Sequence, residues 1–202
     1  MRISERIACE AFPCQDINVD HYVIPQISLD PQNVKLLMIS EAAPAYQRDY
    51  YYTGRESGYE RTTLAAFNEA GVQVASFNQI LDLGIYLTSA VKCGKTGYGI
   101  KAGTIKECSQ ILEREIALFP NAKVILLMGD VAIKSLNYIA NRAGEPRVIP
   151  AESTYKIRGG AYYFRDIRVF PSYLQVGPSF GIEKSKQRMI AEDISAAMSF
   201  IR

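Results

Sequence analysis

Apolar residues along this chain alternate between short continuous runs and helical stripes. Val34-Lys35-Leu36-Leu37-Met38-Ile39-Ser40 is nearly continuous and ends in a polar turn, as a strand buried on both faces does. Ile85 to Val91 repeats the pattern with Lys92-Cys93-Gly94 at its carboxyl end, and Lys123 to Met128 is a third such run, closed by Gly129-Asp130. Helical spacing lies between and after these runs. Thr62 to Ala70 reads as a helix stopped by Gly71, and Val131 to Arg142 and Lys184 to Phe200 as two more. The clearest helix spans Thr104 to Phe119, where Ile105, Cys108, Ile111, Leu112, Ile116 and Phe119 share one stripe. Thr104 with Glu107 three residues on predicts a capping box at its start. Tyr155 to Val169 predicts two antiparallel β segments around Gly159-Gly160. Strand–helix alternation of this kind implies an α/β sandwich whose ligand site lies beyond the carboxyl ends of the strands.

Length and composition narrow the classes. The 202 residues suit a single domain, 1–202, and 48% hydrophobic with 22% charged residues is ordinary for a globular chain. A net charge of +2 gives no global field for nucleic acid, so any basic patch must be local. The start, MRISERIACEAF, lacks the apolar core of a signal peptide, and no run approaches a membrane span. A cytoplasmic, monomeric protein is the expectation.

Four cysteines carry the strongest chemical signal: Cys9 and Cys14, then Cys93 and Cys108. Four thiolates in two separated groups suit one inorganic centre, an iron–sulfur cluster or a zinc ion. Two disulfides or four unrelated buried thiols are the plainer alternatives, the first disfavoured in a reducing compartment. The glycine-rich segment 93–104 lacks the spacing of a phosphate-cradling loop, which argues against an NTPase. The single histidine, His21, sits among unpatterned residues and reads as a surface or packing side chain rather than a member of a Ser-His-Asp triad.

Local segments resemble the uracil-DNA glycosylase superfamily. Residues 35–44 (KLLMISEAAP) resemble its first motif, a strand and a Gly-Glu-x-Pro-Gly turn, and residues 86–95 (YLTSAVKCGK) resemble its Thr-Asn-x-x-Lys-Cys segment. Residues 104–136 look like its helix–strand–Gly–helix continuation, and residues 168–175 (RVFPSYLQ) like its last motif, ordinarily His-Pro-Ser. The four segments keep the family order, and the cysteines occupy the places they hold in the iron–sulfur branch, often called family 4. The resemblance implies a three-layer αβα sandwich around a mostly parallel sheet, and a structural [4Fe–4S] cluster held by Cys9, Cys14, Cys93 and Cys108. Zinc is the alternative. It also implies a glycosylase that extrudes a deaminated base from DNA, clamps it and stabilises the departing anion.

Residue by residue, Glu41 matches the first-motif acid that positions water, and Asp49 falls near a second acidic position. Tyr52-Thr53-Gly54-Arg55 resembles Phe-x-Gly-Arg, making Tyr52 the stacking candidate. Ser89 stands at the Asn position that reads the base edge and Phe170 at the final-motif His, so both line the site without the family's polar groups. DNA contact is expected from Lys92, Lys95 and Lys101 and from Ser172, Tyr173 and Leu174, with Tyr173 or Leu174 as the wedge. A non-catalytic nucleic-acid-binding member of the same fold and a zinc-stabilised nucleobase- or nucleotide-binding protein are the competing functions.

Overall fold

The computed structural model describes residues 1–54, 57–97, 99–176 and 183–201. In chain order the elements are β1 (Ile17–Asn18), β2 (Leu36–Ala43), α1 (Gly58–Glu69), α2 (Phe77–Asp82), β3 (Ile85–Lys95), α3 (Ala102–Ile116), β4 (Val124–Met128), α4 (Asp130–Arg142), α5 (Thr154–Ile157), β5 (Tyr162–Phe164), β6 (Ile167–Ser172) and α6 (Lys184–Ser199). Six strands form one mixed sheet in the order β1-β3-β2-β4-β6-β5. The four central strands run parallel, and β1 and β5 close the edges antiparallel.

The continuous apolar runs form the middle of the sheet because successive residues face opposite sides and both sides are covered. Leu37 and Ile39 of β2, Tyr86 and Ala90 of β3, and Ile125 and Leu127 of β4 pack with α3 and α4 in one hydrophobic cluster. Leu36, Met38, Ile85, Leu87, Val124 and Leu126 pack with α1, α2 and α6 in the other. Flanking helices thus cover an α/β fold with a mixed sheet. No helix among the described residues is long and apolar enough to cross a membrane.

Several boundaries differ from the sequence expectation. The α3 helix starts two residues before Thr104 and ends at Ile116. Thr104 is therefore inside the first turn rather than at the cap, and Glu107 bonds Gln110. The acceptor at this helix start is Asp16, which takes the Lys101 N–H at 2.6 Å and the Thr104 hydroxyl. A distant side chain has replaced the local cap. The α1 helix begins earlier than expected because Ser57 caps it, accepting from the Glu60 N–H at 3.0 Å. The expected β segments around Gly159-Gly160 are instead a short helix, α5, followed by a β5–β6 hairpin turning at Arg165, whose φ is 55°. Pattern reading also missed α2 and β1.

Candidate active site and thiol cluster

The carboxyl ends of β2 and β3 bring a carboxylate and a cation together. Glu41 lies near the end of β2, with its Oε2 3.6 Å from Lys95 Nζ at the end of β3. Its carboxylate packs on Gly129, the residue preceding α4. A Cβ there would fall 2.6 Å from Glu41 Oε1, and the φ of 101° also requires glycine. The first turn of a 13-residue helix offers Glu41 a favourable dipole. Asp49 closes a 3-10 turn, Gln47–Asp49, and packs at Gly58. Both acids lie within electrostatic reach of Tyr59, whose hydroxyl donates to the Ala42 carbonyl at 2.8 Å. Burial first, then the neighbouring tyrosines, Glu41 and Asp49, push this phenol well above its ordinary 10, so it stays a donor. Glu41, Asp49, Tyr59 and Lys95 therefore form one neighbourhood.

The expected base-binding residues are placed differently. Tyr52, at a φ of 64°, turns its ring inward against Phe77 (5.1 Å) and Tyr86 (6.4 Å, nearly parallel). Its hydroxyl accepts the Leu87 N–H at 2.9 Å, on the edge of β3 that β1 does not reach. The ring is a core and sheet-edge element, which corrects its assignment as a free stacking platform; Arg55 of that motif lies outside the described residues. Ser89 is fully buried, its Oγ donating to the Val91 carbonyl at 3.0 Å and 3.1 Å from the Tyr50 hydroxyl. Phe170 is buried against Phe200 (5.5 Å) with the Arg168 guanidinium over its ring at 4.2 Å. Neither Ser89 nor Phe170 presents an open face to a base.

The DNA-contact set divides. Lys92 is fully buried: its ammonium donates to Glu115 Oε2 (2.5 Å), Thr88 Oγ1 (2.7 Å) and the Ser89 carbonyl (2.6 Å). It cannot touch a phosphate, and its expected role is corrected. Ser172 is likewise buried, donating to Asp193 Oδ2 at 2.6 Å, while Asp193 pairs with Arg158 at 2.7 Å. Lys95 is partly exposed but paired with Glu41, Lys101 is exposed at the start of α3, and Tyr173 and Leu174 are half-buried. A cleft lined by Asn33, Lys35 and Gly84 opens at the amino ends of β2 and β3, opposite to this chemistry.

All four cysteines are free and belong to one hydrophobic cluster: Cys93 (β3) and Cys108 (α3) are buried in it, and Cys9 and Cys14 pack against it. Burial, followed by the proximity of Cys108, Cys9 and Cys14, pushes the Cys93 thiol up to about 12. Burial likewise raises Cys108 to about 11, opposed by the Lys92 backbone N–H and ammonium, with Cys14 and Cys9 adding to the rise. The four thiols thus lie within electrostatic reach of one another, and loading a metal there must release protons. Among the described residues no three His, Cys, Asp or Glu side chains stand close enough to hold a single metal ion.

Sequence reasoning missed Glu115, although a carboxylate in the Cys108–Leu112–Phe119 stripe is a legible signal for a buried partner. Tyr59 and Asp16 carried no such signal. Tyr51 Oη and Gln175 Oε1 are buried with no hydrogen-bond partner among the described residues.

An α/β fold with a mixed sheet thus carries an acid–cation pair at the carboxyl ends of β2 and β3 and gathers four thiols into one hydrophobic cluster. The model of the uracil DNA glycosylase superfamily matches residues 27–183, more than half of the chain, and the protein belongs to that superfamily. No curated protein matches the chain.

Proposed function

We propose that the protein is a DNA glycosylase of the iron–sulfur, family 4-like branch, built as a three-layer αβα sandwich, that removes a deaminated base such as uracil. The observation that carries this reading is Glu41 seated on Gly129 at the start of α4 and paired with Lys95, in a chain of this superfamily. In the reaction the bond from C1′ to the base nitrogen breaks and its electron pair leaves with the base. A water oxygen bonds C1′, and the proton of that water passes to a carboxylate. In this reading Glu41 takes it, and Asp49 is the second candidate acid. Lys95 and the α4 terminus hold Glu41 oriented between turnovers.

Cys9, Cys14, Cys93 and Cys108 suit a [4Fe–4S] cluster, which supplies a covalent staple between the amino-terminal segment, β3 and α3. The four cysteines hold the places they have in the iron–sulfur branch, and that resemblance favours a cluster over zinc. Lys101 and the half-buried Tyr173 and Leu174 remain the DNA-contact candidates. The burial of Ser89 and Phe170 favours a second reading, a member that binds DNA without cutting it.

Iron, sulfide and zinc content with a visible spectrum on anaerobically purified protein, followed by base release from oligonucleotides carrying uracil, hypoxanthine or xanthine, tests both parts. About four irons and four sulfides with release of one base, abolished by Glu41→Gln, is the expected result. Duplex binding without release of any base would replace the enzyme by the binder.

A further inference from the structure

The amino-terminal edge of the sheet, opposite to Glu41, carries a row of cations that the excision chemistry does not use. Lys35 precedes β2 and Lys123 precedes β4, and the Lys123 N–H donates to the Lys35 carbonyl at 2.8 Å. The Arg168 N–H of β6 donates in turn to the Lys123 carbonyl at 2.9 Å. These backbone bonds set the three residues side by side on neighbouring strands, across about 10 Å. Lys35 and Lys123 are exposed and Arg168 is half-buried. Asp30 and Asp82 line the same cleft as Lys35, and Asp166 lies in the β5–β6 turn. No carboxylate pairs with any of the three cations among the described residues. Like charges on adjacent strands repel, and the fold supplies no counter-charge here.

Aromatic rings close one end of the row. Arg168 is directly opposite Tyr163 in the β5–β6 hairpin. Its guanidinium donates to the carbonyls of Gly160 (2.9 Å), Tyr162 (3.0 Å) and Val169 (2.6 Å), which fixes its position. So held, it lies 5.5 Å from the Tyr163 ring and 5.9 Å from that of Phe200, at the end of α6. Both rings are open to solvent, Tyr163 being 57% and Phe200 47% exposed. Strand β5 is the last of the sheet, and no other strand pairs with it on that side among the described residues. Two exposed rings held by one guanidinium lose little freedom when a flat ligand lands on them.

We propose that this edge is a second nucleic-acid surface that takes an unpaired strand, with phosphates along Lys35, Lys123 and Arg168 and bases on Tyr163 and Phe200. About 10 Å spans about three phosphates of one strand. A duplex keeps its base faces stacked inside, so cations combined with open rings select single strands. Lys35 lies six residues before Glu41 in the chain, about 20 Å along β2. The surface is therefore separate from the excision site and does not depend on cutting.

The test is fluorescence anisotropy with a labelled oligothymidylate and with an undamaged duplex of the same length, each across a range of salt. Lys35→Ala/Lys123→Ala should lower the slope of log affinity against log salt by about 1.4 for the single strand. Tyr163→Ala should weaken single-strand binding about 5- to 150-fold, Tyr163→Phe should restore it, and duplex binding should change in none of these variants. An unchanged slope, an unaltered affinity in Tyr163→Ala, equal losses on the duplex, or no single-strand binding by the wild type overturns the proposal. Base release is measured separately and is touched by none of these outcomes. Ultraviolet crosslinking of the oligothymidylate to the native protein reads the location without any variant. The adduct should fall on the peptide carrying Tyr163 or Phe200, and adducts confined to Lys101 and Tyr173 overturn the proposal. Polyglutamate of matched charge displacing the strand as readily as unlabelled oligothymidylate would reassign the edge to an acidic polypeptide.

Discussion

Removing Lys92 should unfold the protein long before it affects DNA binding. Its ammonium is fully enclosed, as is Glu115, which also accepts from Tyr86 Oη (2.7 Å) and Thr88 Oγ1 (3.0 Å). Lys92→Met leaves a buried carboxylate with two neutral donors and no countercharge. Glu115→Gln leaves the ammonium with neutral acceptors and no countercharge. Breaking one partner of such a pair costs about 3–5 kcal/mol, whereas replacing both by apolar groups is often close to neutral. At about 2–4 °C per kcal/mol for a chain of this size, each single change should lower Tm by about 6–20 °C. Lys92→Met/Glu115→Leu should cost no more than either alone. Urea unfolding at neutral pH, repeated in 1 M salt, is the assay, because a water-exposed pair would be screened there and this one would not. Lys101→Met, on the surface, serves as the control and should stay within about 0.5 kcal/mol of the wild type. A Lys92→Met cost under about 1 kcal/mol, or single costs that add in the double variant, would refute the buried pair and restore Lys92 to the surface.

Three further outcomes follow from particular bonds. Lys101→Ala should lower the slope of log affinity against log salt for duplex DNA by about 0.9, and an unchanged slope would remove this residue from the interface. Asp16 holds the start of α3: burial raises its pKa, but the Thr104 hydroxyl and the Lys101 N–H outweigh that and leave it below the ordinary 3.8. A depressed folded pKa gives stability that is present above 3.8 and lost as pH falls through the folded value. Asp16→Ala should therefore cost about 1 kcal/mol at pH 7, and its melting curve should merge with that of the wild type only once pH has fallen below the folded value. Tyr52→Phe keeps the ring but strands the Leu87 N–H, so a loss of about 1–3 kcal/mol is expected; a neutral result would free Tyr52 for stacking.

The central sheet was legible because β2, β3 and β4 are buried on both faces, and a strand in that position must be apolar throughout. Helices α3, α4 and α6 were legible from stripes matched to one covered face. What escaped was non-local. Asp16 caps a helix 85 residues away, so no window around α3 contains its cap. Lys92 reads as a surface cation until Glu115 is seen to meet it through the sheet-facing side of α3. Tyr52 looks like an exposed aromatic in a loop, yet a free strand edge at Leu87 draws it inward. The candidate site was legible in part for the same reason. Glu41 ends the apolar run that becomes β2 and lies inside that strand, whereas β1, a strand of two residues, is announced by no periodicity.

The amino-terminal segment explains why the cysteines and the site belong to one argument. The superfamily match begins at residue 27, so Cys9, Cys14, Asp16 and His21 all precede it. This segment has little core of its own. It is held by β1, by Asp16, by the Arg114 bond to the Ala8 carbonyl (3.0 Å) and by the packing of Cys9 and Cys14 on the sheet-side cluster. A centre joining these thiols to Cys93 and Cys108 would close loops of up to about a hundred residues, the case in which a crosslink restricts an unfolded segment most. The same crosslink would fix Lys95, two residues beyond Cys93, and with it the pair to Glu41. Loss of the centre should then loosen residues 9–23 while the sheet stays folded, because β2, β3 and β4 keep both their covers. Hydrogen exchange before and after chelation separates this from global unfolding: faster exchange confined to that segment, with base release lost in step, is the outcome the geometry demands.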